Sequence, residues 1–149
     1  MYRLAIAILG DEADATDAAQ NALVAAWRDI RGLRDPERFD AWLQRTVVNA
    51  ARQVMRSNRR RRAREVPAST LVALSGTPAP TPRDDAALLD AALATLPVDQ
   101  RAVLVLHHLE HRGLGEIGAI LGIPVGTAKS RLFAARRALG AAIASEARR

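Results

Sequence analysis

Cysteine is absent from the 149-residue sequence. This absence excludes disulfide bonds, zinc sites made of thiolates and cysteine nucleophiles. Aromatic residues are scarce, at 3% of the total, although 49% of the residues are hydrophobic. Alanine and leucine must therefore fill the interior, and a composition of this kind favours helices over strands.

Long apolar runs are also lacking. No stretch approaches the roughly 18 apolar residues of a membrane span, and the opening MYRLAIAIL is too short for a signal peptide and has no cleavage pattern. We therefore predict a cytoplasmic protein that does not insert into a membrane. The sequence contains no Ser/His/Asp grouping, no paired carboxylates in an apolar setting and no glycine-rich phosphate loop. We predict from this that it is not an enzyme and uses no cofactor.

Positive charge is present in excess. The 22 Lys and Arg residues outnumber the 16 Asp and Glu residues, which gives a formal net charge of +6. This balance indicates an anionic partner such as nucleic acid, although membranes and acidic proteins also bind cationic surfaces. Residues 1–64 include 13 basic and 8 acidic residues, and residues 86–149 include 8 and 5, so the net charge is positive in both halves.

A proline-rich stretch divides the chain between residues 65 and 85. It contains Pro67, Pro78, Pro80 and Pro82 among Ser, Thr and Gly, which is typical of a linker. We therefore predict an all-α fold of two small helical domains, residues 1–64 and 86–149, joined by this linker. Two cationic modules on a flexible tether suit two separated contacts on one polyanion.

Three helices are predicted in residues 1–64. The first covers residues 1–9 and ends at Gly10, and because it has no cap and little length, we expect the natural element to start earlier or to be truncated here. The second covers residues 11–30, with acidic residues at its start and an apolar stripe of Ala19, Leu23, Ala26, Trp27 and Ile30. Asp35 caps the third helix, whose core stripe consists of Phe39, Trp42, Leu43, Val47, Ala50 and Val54.

Polar residues form a separate face on each of the two longer helices. On the second helix this face is acidic and amide-rich, and it consists of Asp14, Asp17, Gln20 and Asn21. One explanation is helix capping and solvation, and the other is docking to a basic protein partner. On the third helix they suit nucleic acid, because arginine binds phosphates and amides bond base edges: Arg45, Asn49, Arg52, Gln53 and Arg56. Trp27 and Trp42 could stack on unpaired bases, but core packing is the favoured interpretation.

A run of arginines ends the third helix, and it consists of Arg59, Arg60, Arg61 and Arg62. A solvated helix end is one explanation, since cations suit a helix C-terminus. Four successive arginines exceed what that role needs, so we favour a contact with a phosphate backbone.

Two further helices are predicted after the linker, over residues 86–96 and 98–110, the second with Val103, Leu106 and Leu109 facing inward. His107 and His111 are four residues apart and could hold a metal, which would suit a metal-dependent enzyme. No third ligand is evident, so we favour a structural or surface role for both and predict no metal site.

The segment 113–139 predicts a helix-turn-helix. Gly122 ends its first helix and Pro124 begins the second, whose apolar stripe consists of Ala128, Leu132, Ala135 and Leu139. The leading edge of the second helix is small and basic, which suits entry into the major groove, and it consists of Val125, Gly126, Thr127, Lys129, Ser130 and Arg131, with Arg136 behind them. A plain helical hairpin with a solvated basic face is the alternative.

Two stretches resemble one protein family. DEADATDAAQNALVAAWR with ERFDAWLQRTVVNAAR resembles the polymerase-docking and −10-reading domain of extracytoplasmic-function sigma factors, the smallest members of the main bacterial sigma-factor family. LDAALATLPVDQRAVLVLHHLE with EIGAILGIPVGTAKSRLFAARRAL resembles the −35-reading domain of that family. The two stretches occur in the order of the family and cover most of the chain outside the linker.

The resemblance implies a sigma factor that binds core RNA polymerase, directs it to a promoter and assists promoter melting. Residues 1–64 would dock on polymerase through the acidic face of the second helix, and would capture unpaired −10 bases with residues 31–35 and the polar face of the third. Residues 86–149 would read the duplex −35 element through the helix-turn-helix. An anti-sigma factor is an implied partner, and Phe133 receives no role. The alternative is a self-sufficient, dimeric helix-turn-helix regulator that reads a palindrome.

Overall fold

The computed structural model describes residues 1–65 and 85–149, and within these ranges it consists of helices and turns without a strand. The α-helices are α1 (Tyr2–Leu9), α2 (Glu12–Asp29), α3 (Phe39–Arg64), α4 (Asp85–Ala94), α5 (Val98–His108), α6 (Leu114–Leu121) and α7 (Val125–Glu146). Short 3₁₀ turns cover Ile30–Gly32 and Pro36–Arg38. The predicted all-α fold with two helical domains is confirmed. The predicted linker lies outside the described residues, apart from its first and last residue.

Among the described helices, none combines the length and the apolar character that crossing a membrane requires.

Local sequence signals set the ends of the helices. Gly10 and Gly122 follow α1 and α6 in the left-handed conformation, with φ of 72° and 67°, which glycine adopts without the strain that a Cβ atom brings. Asp11 caps α2, because its carboxylate accepts a hydrogen bond from the Asp14 N–H at 2.9 Å. Asp35 accepts one from the Glu37 N–H at 3.0 Å in the same way. The helix ends predicted at Gly10 and Gly122 are confirmed. Asp35 is a cap as predicted, but it caps the 3₁₀ turn Pro36–Arg38, and α3 begins only at Phe39.

Alanines form the buried face of α2, which packs on α1 and α3. They lie at helical spacing and are at most 8% exposed: Ala15, Ala18, Ala22 and Ala26. The prediction that Leu23, Trp27 and Ile30 face the core is wrong, since these residues are 57%, 84% and 46% exposed. Small side chains let neighbouring helices approach closely, so side-chain size rather than hydrophobicity decides which face of α2 is buried.

The core stripe of α3 follows the predicted register. Val47, Ala50 and Val54 are buried, which confirms that part of the prediction, and Val48 and Ala51 are buried beside them. Trp42 and Leu43 are only half-buried. The prediction for Phe39 is wrong: it is 37% exposed, and as the first residue of α3 it places its ring 5.9 Å from that of Trp42 rather than in the core.

The second domain is built around α5. Its Val103 and Leu106 are fully buried as predicted, whereas Leu109 is 49% exposed, because α5 ends at His108 and the chain leaves the helix there. In α7, Ala128, Leu132 and Ala135 are buried and Leu139 is half-buried, which follows the predicted stripe. These contacts seat α7 on α5 and α6 with its opposite face in solvent.

The turn between α6 and α7 passes close to Gly118. The N–H groups of Gly122 and Ile123 both donate to the Gly118 carbonyl, the latter at 2.9 Å. A Cβ atom on residue 118 would lie 2.8 Å from the Ile123 carbonyl oxygen, so the absence of a side chain lets the turn close this tightly. The two helices and their short turn form the predicted helix-turn-helix.

The two domains pack against each other. α1 contacts α5, α3 contacts both α5 and α6, and the buried residues of both domains form one hydrophobic cluster. The sequence predicts two modules on a tether and contains no signal for this contact, because an apolar residue at a domain surface cannot be told from one in a domain core by spacing alone.

Candidate nucleic-acid and protein interfaces

An exposed stripe runs along α2, opposite the buried alanines. Asp17, Gln20 and Asn21 are exposed, and Val24 and Trp27 continue the stripe with 63% and 84% exposure. We call these five residues the α2 stripe. Large apolar side chains left in solvent beside polar groups mark protein contact surfaces. Sequence reasoning placed Trp27 in the core, and the signal that could have corrected it is the competing alanine face.

Asp14 lies at the edge of the α2 stripe and has a different environment. Its two carboxylate oxygens accept hydrogen bonds from Nδ2 of Asn58 at 3.1 and 3.0 Å, which tie α2 to α3. An open groove of about 570 Å³ runs between the two helices here. Asp14 and Asp17 line one wall of it and Gln53 lines the other, so the predicted protein-binding and base-binding faces meet along this groove.

The polar face of α3 is only partly free. Arg45, Asn49, Gln53 and Arg56 are exposed along one side of the helix, as a base-contacting or phosphate-contacting surface requires. Arg52 differs, because its side chain is only 21% exposed and its Nε donates to Oδ1 of Asp99 in α5 at 2.8 Å. The structure therefore brings four of the five predicted residues into solvent and places the fifth in the domain contact.

The arginine run forms the last turns of α3, where every residue from Arg59 to Arg64 is exposed. Arg61 lies 3.4 Å from Oδ1 of Asn58. No carboxylate in the described part of the chain pairs with Arg59, Arg60 or Arg62. A cluster of unneutralised guanidinium groups at one helix end attracts polyanions.

The exposed face of α7 carries most of the predicted groove-entering residues. Gly126, Lys129, Ser130 and Arg136 are exposed, and Val125 is 53% exposed. Thr127 and Arg131 are half-buried. Arg131 follows Lys129 by two residues, and two residues turn an α-helix through about half a revolution. Arg131 therefore lies on the side of α7 away from this face.

Phe133 lies in the middle of the same face and is 64% exposed. The guanidinium carbon of Arg137 lies 5.9 Å from the centroid of its ring, which positions the ring on the surface. Sequence reasoning gave Phe133 no role. Its spacing of seven residues from Gly126 and three from Ser130 is the signal that could have placed it there.

The histidines of α5 make local contacts. Nδ1 of His107 lies 3.2 Å from the Arg112 carbonyl oxygen, and the rings of His107 and His108 meet edge to face at 4.8 Å. Partial burial lowers the pKa of His108, and the nearby His107 and Arg136 lower it further. Within residues 1–65 and 85–149, no three His, Cys, Asp or Glu side chains are grouped as a metal would require.

Polar contacts also join the two domains near α6. Nε2 of Gln44 donates to Glu110 at 2.9 Å, and Nε of Arg112 donates to Oε1 of Gln44 at 2.9 Å. Arg112 also pairs with Glu116 at 3.0 Å. The Gly113 N–H and Arg112 both donate to the Glu116 carboxylate and lower its pKa, with the Gly113 bond contributing most.

Comparison with known families gives two matches, one in each domain. Residues 1–61 match the family described as Sigma-70 region 2, and residues 86–139 match the one described as Sigma-70, region 4. The chain is 35% identical over 135 residues to the RNA polymerase sigma-E factor of Streptomyces avermitilis, which covers 91% of this chain and 74% of that protein.

Two other curated relatives are longer than this chain. Identity is 32% to the ECF RNA polymerase sigma factor SigE of Mycolicibacterium smegmatis, over 93% of this chain and 55% of that protein. It is also 32% to a protein of Xanthomonas campestris named "Probable RNA polymerase sigma factor RfaY", over 89% of this chain and 35% of that protein. The chain thus spans about half of the length of the first of these proteins and about a third of the length of the second.

Two solved structures are similar in fold. One is the sigma factor RpoE in complex with the anti-sigma factor NepR from Bartonella quintana, with a TM-score of 0.74 and 26% identity over 95% of this chain and 88% of that chain. The other is CnrH in complex with the cytosolic domain of CnrY, with a TM-score of 0.64 and 27% identity over 97% of this chain and 80% of that chain.

Proposed function

Because the chain belongs to the sigma-70 family of RNA polymerase sigma factors, within its extracytoplasmic-function group, we propose that it binds core RNA polymerase, directs it to a promoter and helps to melt the −10 element. In this proposal the chain supplies specificity and has no catalytic site of its own. The observation that carries it is the α2 stripe, where a Trp side chain that is 84% exposed lies beside acidic and amide groups in a net basic protein.

The α2 stripe is the proposed docking surface for core polymerase. Trp27 and Val24 supply the apolar centre that protein interfaces use, and Asp17, Gln20 and Asn21 supply a polar, acidic rim. Asp14 belongs to the same surface at its edge, where Asn58 holds it. Such a surface repels DNA, so it leaves the nucleic acid to other helices.

The exposed side of α3 is the proposed contact to unpaired −10 bases. Asn49 and Gln53 present amides that can bond base edges, while Arg45 and Arg56 beside them can bind the backbone of the same strand. Arg52 completes this set when it is released from Asp99. Residues 31–35 connect the end of α2 to the start of α3, and they belong to the same proposed contact. Arg59, Arg60, Arg61 and Arg62 then hold phosphates farther along.

The exposed face of α7 is the proposed reader of the duplex −35 element. Lys129, Ser130 and Arg136 are the polar contacts, and Val125, Gly126 and Thr127 allow close approach at the N-terminal turn. Phe133 adds an apolar contact of the kind that recognises the methyl group of thymine. Arg131, being half-buried, is the member of the predicted set whose contact depends most on a rearrangement.

An anti-sigma factor is the proposed regulatory partner. The support is that RpoE, which is similar to this chain in fold, was solved in complex with the anti-sigma factor NepR. The cytoplasm is the proposed location, since core polymerase and promoter DNA are there.

Run-off transcription with purified core polymerase on genomic fragments tests the proposal. We expect discrete start sites that depend on the added protein. Asp17→Arg should abolish them and the binding to core, while Asp90→Arg, the same charge reversal at an exposed position of α4, should not. A footprint on duplex DNA by the protein alone, with no polymerase binding, would instead support the self-sufficient regulator.

A further inference from the structure

We propose that His108, the last residue of α5, is a positioning residue for recognition of the −35 element: its neutral ring holds the guanidinium group of Arg136 on the exposed face of α7, and protonation of the ring releases that group. The inference deepens the function proposed above for α7 and rests on it. The contact lies within the second domain, between two helices that pack on each other, and it makes promoter binding depend on pH through one side chain.

Arg136 is exposed on the face of α7 that is proposed to enter the major groove. Its Nε donates a long hydrogen bond, 3.4 Å, to Nε2 of His108. In the described part of the chain, no carboxylate pairs with Arg136. His108 is therefore the group that sets the direction of this guanidinium.

His108 can accept this bond in one form only. A guanidinium N–H always donates, so Nε2 of His108 has to present a lone pair, and the ring has to be neutral with its proton on Nδ1. The ring of His107 supports that of His108 from the side, because the two meet edge to face at 4.8 Å. His107 is itself anchored, since its Nδ1 lies 3.2 Å from the Arg112 carbonyl oxygen. These contacts hold the His108 ring in the orientation that Arg136 needs.

Protonation of His108 reverses the contact. A proton on Nε2 replaces the acceptor with a donor, and two positive charges then face each other. Partial burial lowers the pKa of His108, and His107 and Arg136 lower it further. Among the described residues, no charged group of α1, α3 or α6, which also pack on α5, adds to this shift. The neutral form therefore dominates at and above the ordinary histidine value near 6.5, and it is lost as pH falls below that value.

A guanidinium that is already held binds DNA at a lower entropic cost. Because His108 occupies Nε, both Nη groups of Arg136 remain free to bond a phosphate or the O6 and N7 atoms of a guanine. A free arginine has to be immobilised when it binds, whereas Arg136 is partly ordered beforehand. His108 needs no contact with DNA, since it acts through Arg136.

The direction of the pH effect separates positioning from simple attraction. If His108 were only a surface charge, its protonation would add a positive charge near DNA and would strengthen binding. Positioning predicts weaker binding, because the protonated ring repels Arg136. His108→Lys should imitate the protonated form at every pH. His108→Gln should imitate the neutral form, because its side-chain oxygen is a neutral acceptor.

Nuclear magnetic resonance on the free, full-length protein tests the contact itself. Long-range proton–nitrogen correlation spectra distinguish the two neutral tautomers of histidine, and we expect His108 to carry its proton on Nδ1. Arg136→Gln removes a nearby cation and should raise the pKa of His108. Arg137→Gln, the same change at the next exposed residue of α7, should raise it less. A proton on Nε2 of neutral His108, or an unchanged pKa in Arg136→Gln, would overturn the inference.

Promoter binding by the holoenzyme tests what the contact does. Fluorescence anisotropy with a duplex promoter obtained from the run-off assay gives the Kd at each pH. We expect His108→Lys to raise this Kd about threefold to tenfold at pH of about 8, which is the loss that follows when one side chain has to be ordered on binding. Ala94→Lys adds the same charge at an exposed position of α4 and should not raise the Kd.

A double-mutant cycle guards against a general folding defect. In an Arg136→Gln background, His108→Lys should have no further effect, because no guanidinium is left to misplace. As pH falls below the histidine value near 6.5, the parent should lose affinity relative to His108→Gln, since position 108 titrates only in the parent.

Two results would refute the positioning role: equal pH profiles for the parent and His108→Gln, or an equal loss from His108→Lys with and without Arg136. If the parent does not bind core polymerase, the proposed function fails. The tautomer of His108 is measured without polymerase, so it separates that failure from a failure of the contact between His108 and Arg136.

Discussion

Truncating Trp27 should separate polymerase binding from stability. Because Trp27 is 84% exposed, the fold covers about 40 Å² of its roughly 250 Å² of surface. At about 25 cal/mol/Å², Trp27→Ala should therefore lower the free energy of unfolding by about 1 kcal/mol at most. Urea denaturation followed by circular dichroism measures this change.

The same substitution should affect polymerase binding far more. An exposed Trp at the centre of a protein interface is the kind of residue whose truncation costs 2 kcal/mol or more. This cost corresponds to about a 30-fold rise in the Kd for core RNA polymerase. Surface plasmon resonance with immobilised core polymerase would measure it.

Phe133→Ala is the matched control, because it truncates another exposed aromatic side chain on a different helix. Phe133 is 64% exposed, so its loss should cost about 2 kcal/mol of stability at most. We expect it to leave the Kd for core polymerase unchanged and to weaken binding of the holoenzyme to promoters that have thymine at the contacted position. If Trp27→Ala binds core polymerase as tightly as the parent, the α2 stripe is not the docking surface.

Three further outcomes are expected. Gly122→Ala should lower the free energy of unfolding by about 1 kcal/mol, because Gly122 has a φ of 67°. Gly140→Ala should raise the free energy of unfolding by about 0.5–1 kcal/mol, because Gly140 lies in α7 with open space around it. Denaturant titrations of the two variants measure both changes. Lys129→Ala should reduce the salt dependence of holoenzyme binding by about one counterion if Lys129 contacts phosphate, as a log–log plot of Kd against salt would reveal. Since the pKa of His108 is lowered in the folded state, unfolding should become easier as pH falls through the ordinary histidine value near 6.5, and His108→Gln should remove this contribution from the Tm profile.

The sequence predicted the parts of the fold that depend on local signals. Gly10 and Gly122 end helices and Asp35 is a cap as expected, since a left-handed φ and a side-chain cap need only neighbouring residues. The helix-turn-helix was found for the same reason. In α7, the apolar residues Ala128, Leu132 and Ala135 recur over several helical turns, and this repeat indicates which side of the helix is buried.

Tertiary contacts decided what local signals could not. On α2 the alanines compete with a second apolar set, Leu23, Trp27 and Ile30, and the close approach of α1 and α3 selects the alanines. Arg52 looked like its exposed neighbours on α3 because its partner, Asp99, is 47 residues away in the sequence. Arg101 is 5% exposed and donates to the carbonyl oxygens of Leu9 and Leu96. The sequence does not indicate this burial, because an isolated arginine in a helix is normally solvated.

The alanine-lined contact of α2 has a consequence for how this protein can change over time. Because the buried face of α2 consists of alanines, helped at one edge by the Asp14–Asn58 hydrogen bonds, the exposed residues of the helix contribute little to folding. Selection can therefore retune affinity for a shared partner, one outward side chain at a time, at almost no cost in foldability. The inward positions have less latitude, since a larger side chain at a buried alanine has to be fitted between α2 and the helices α1 and α3.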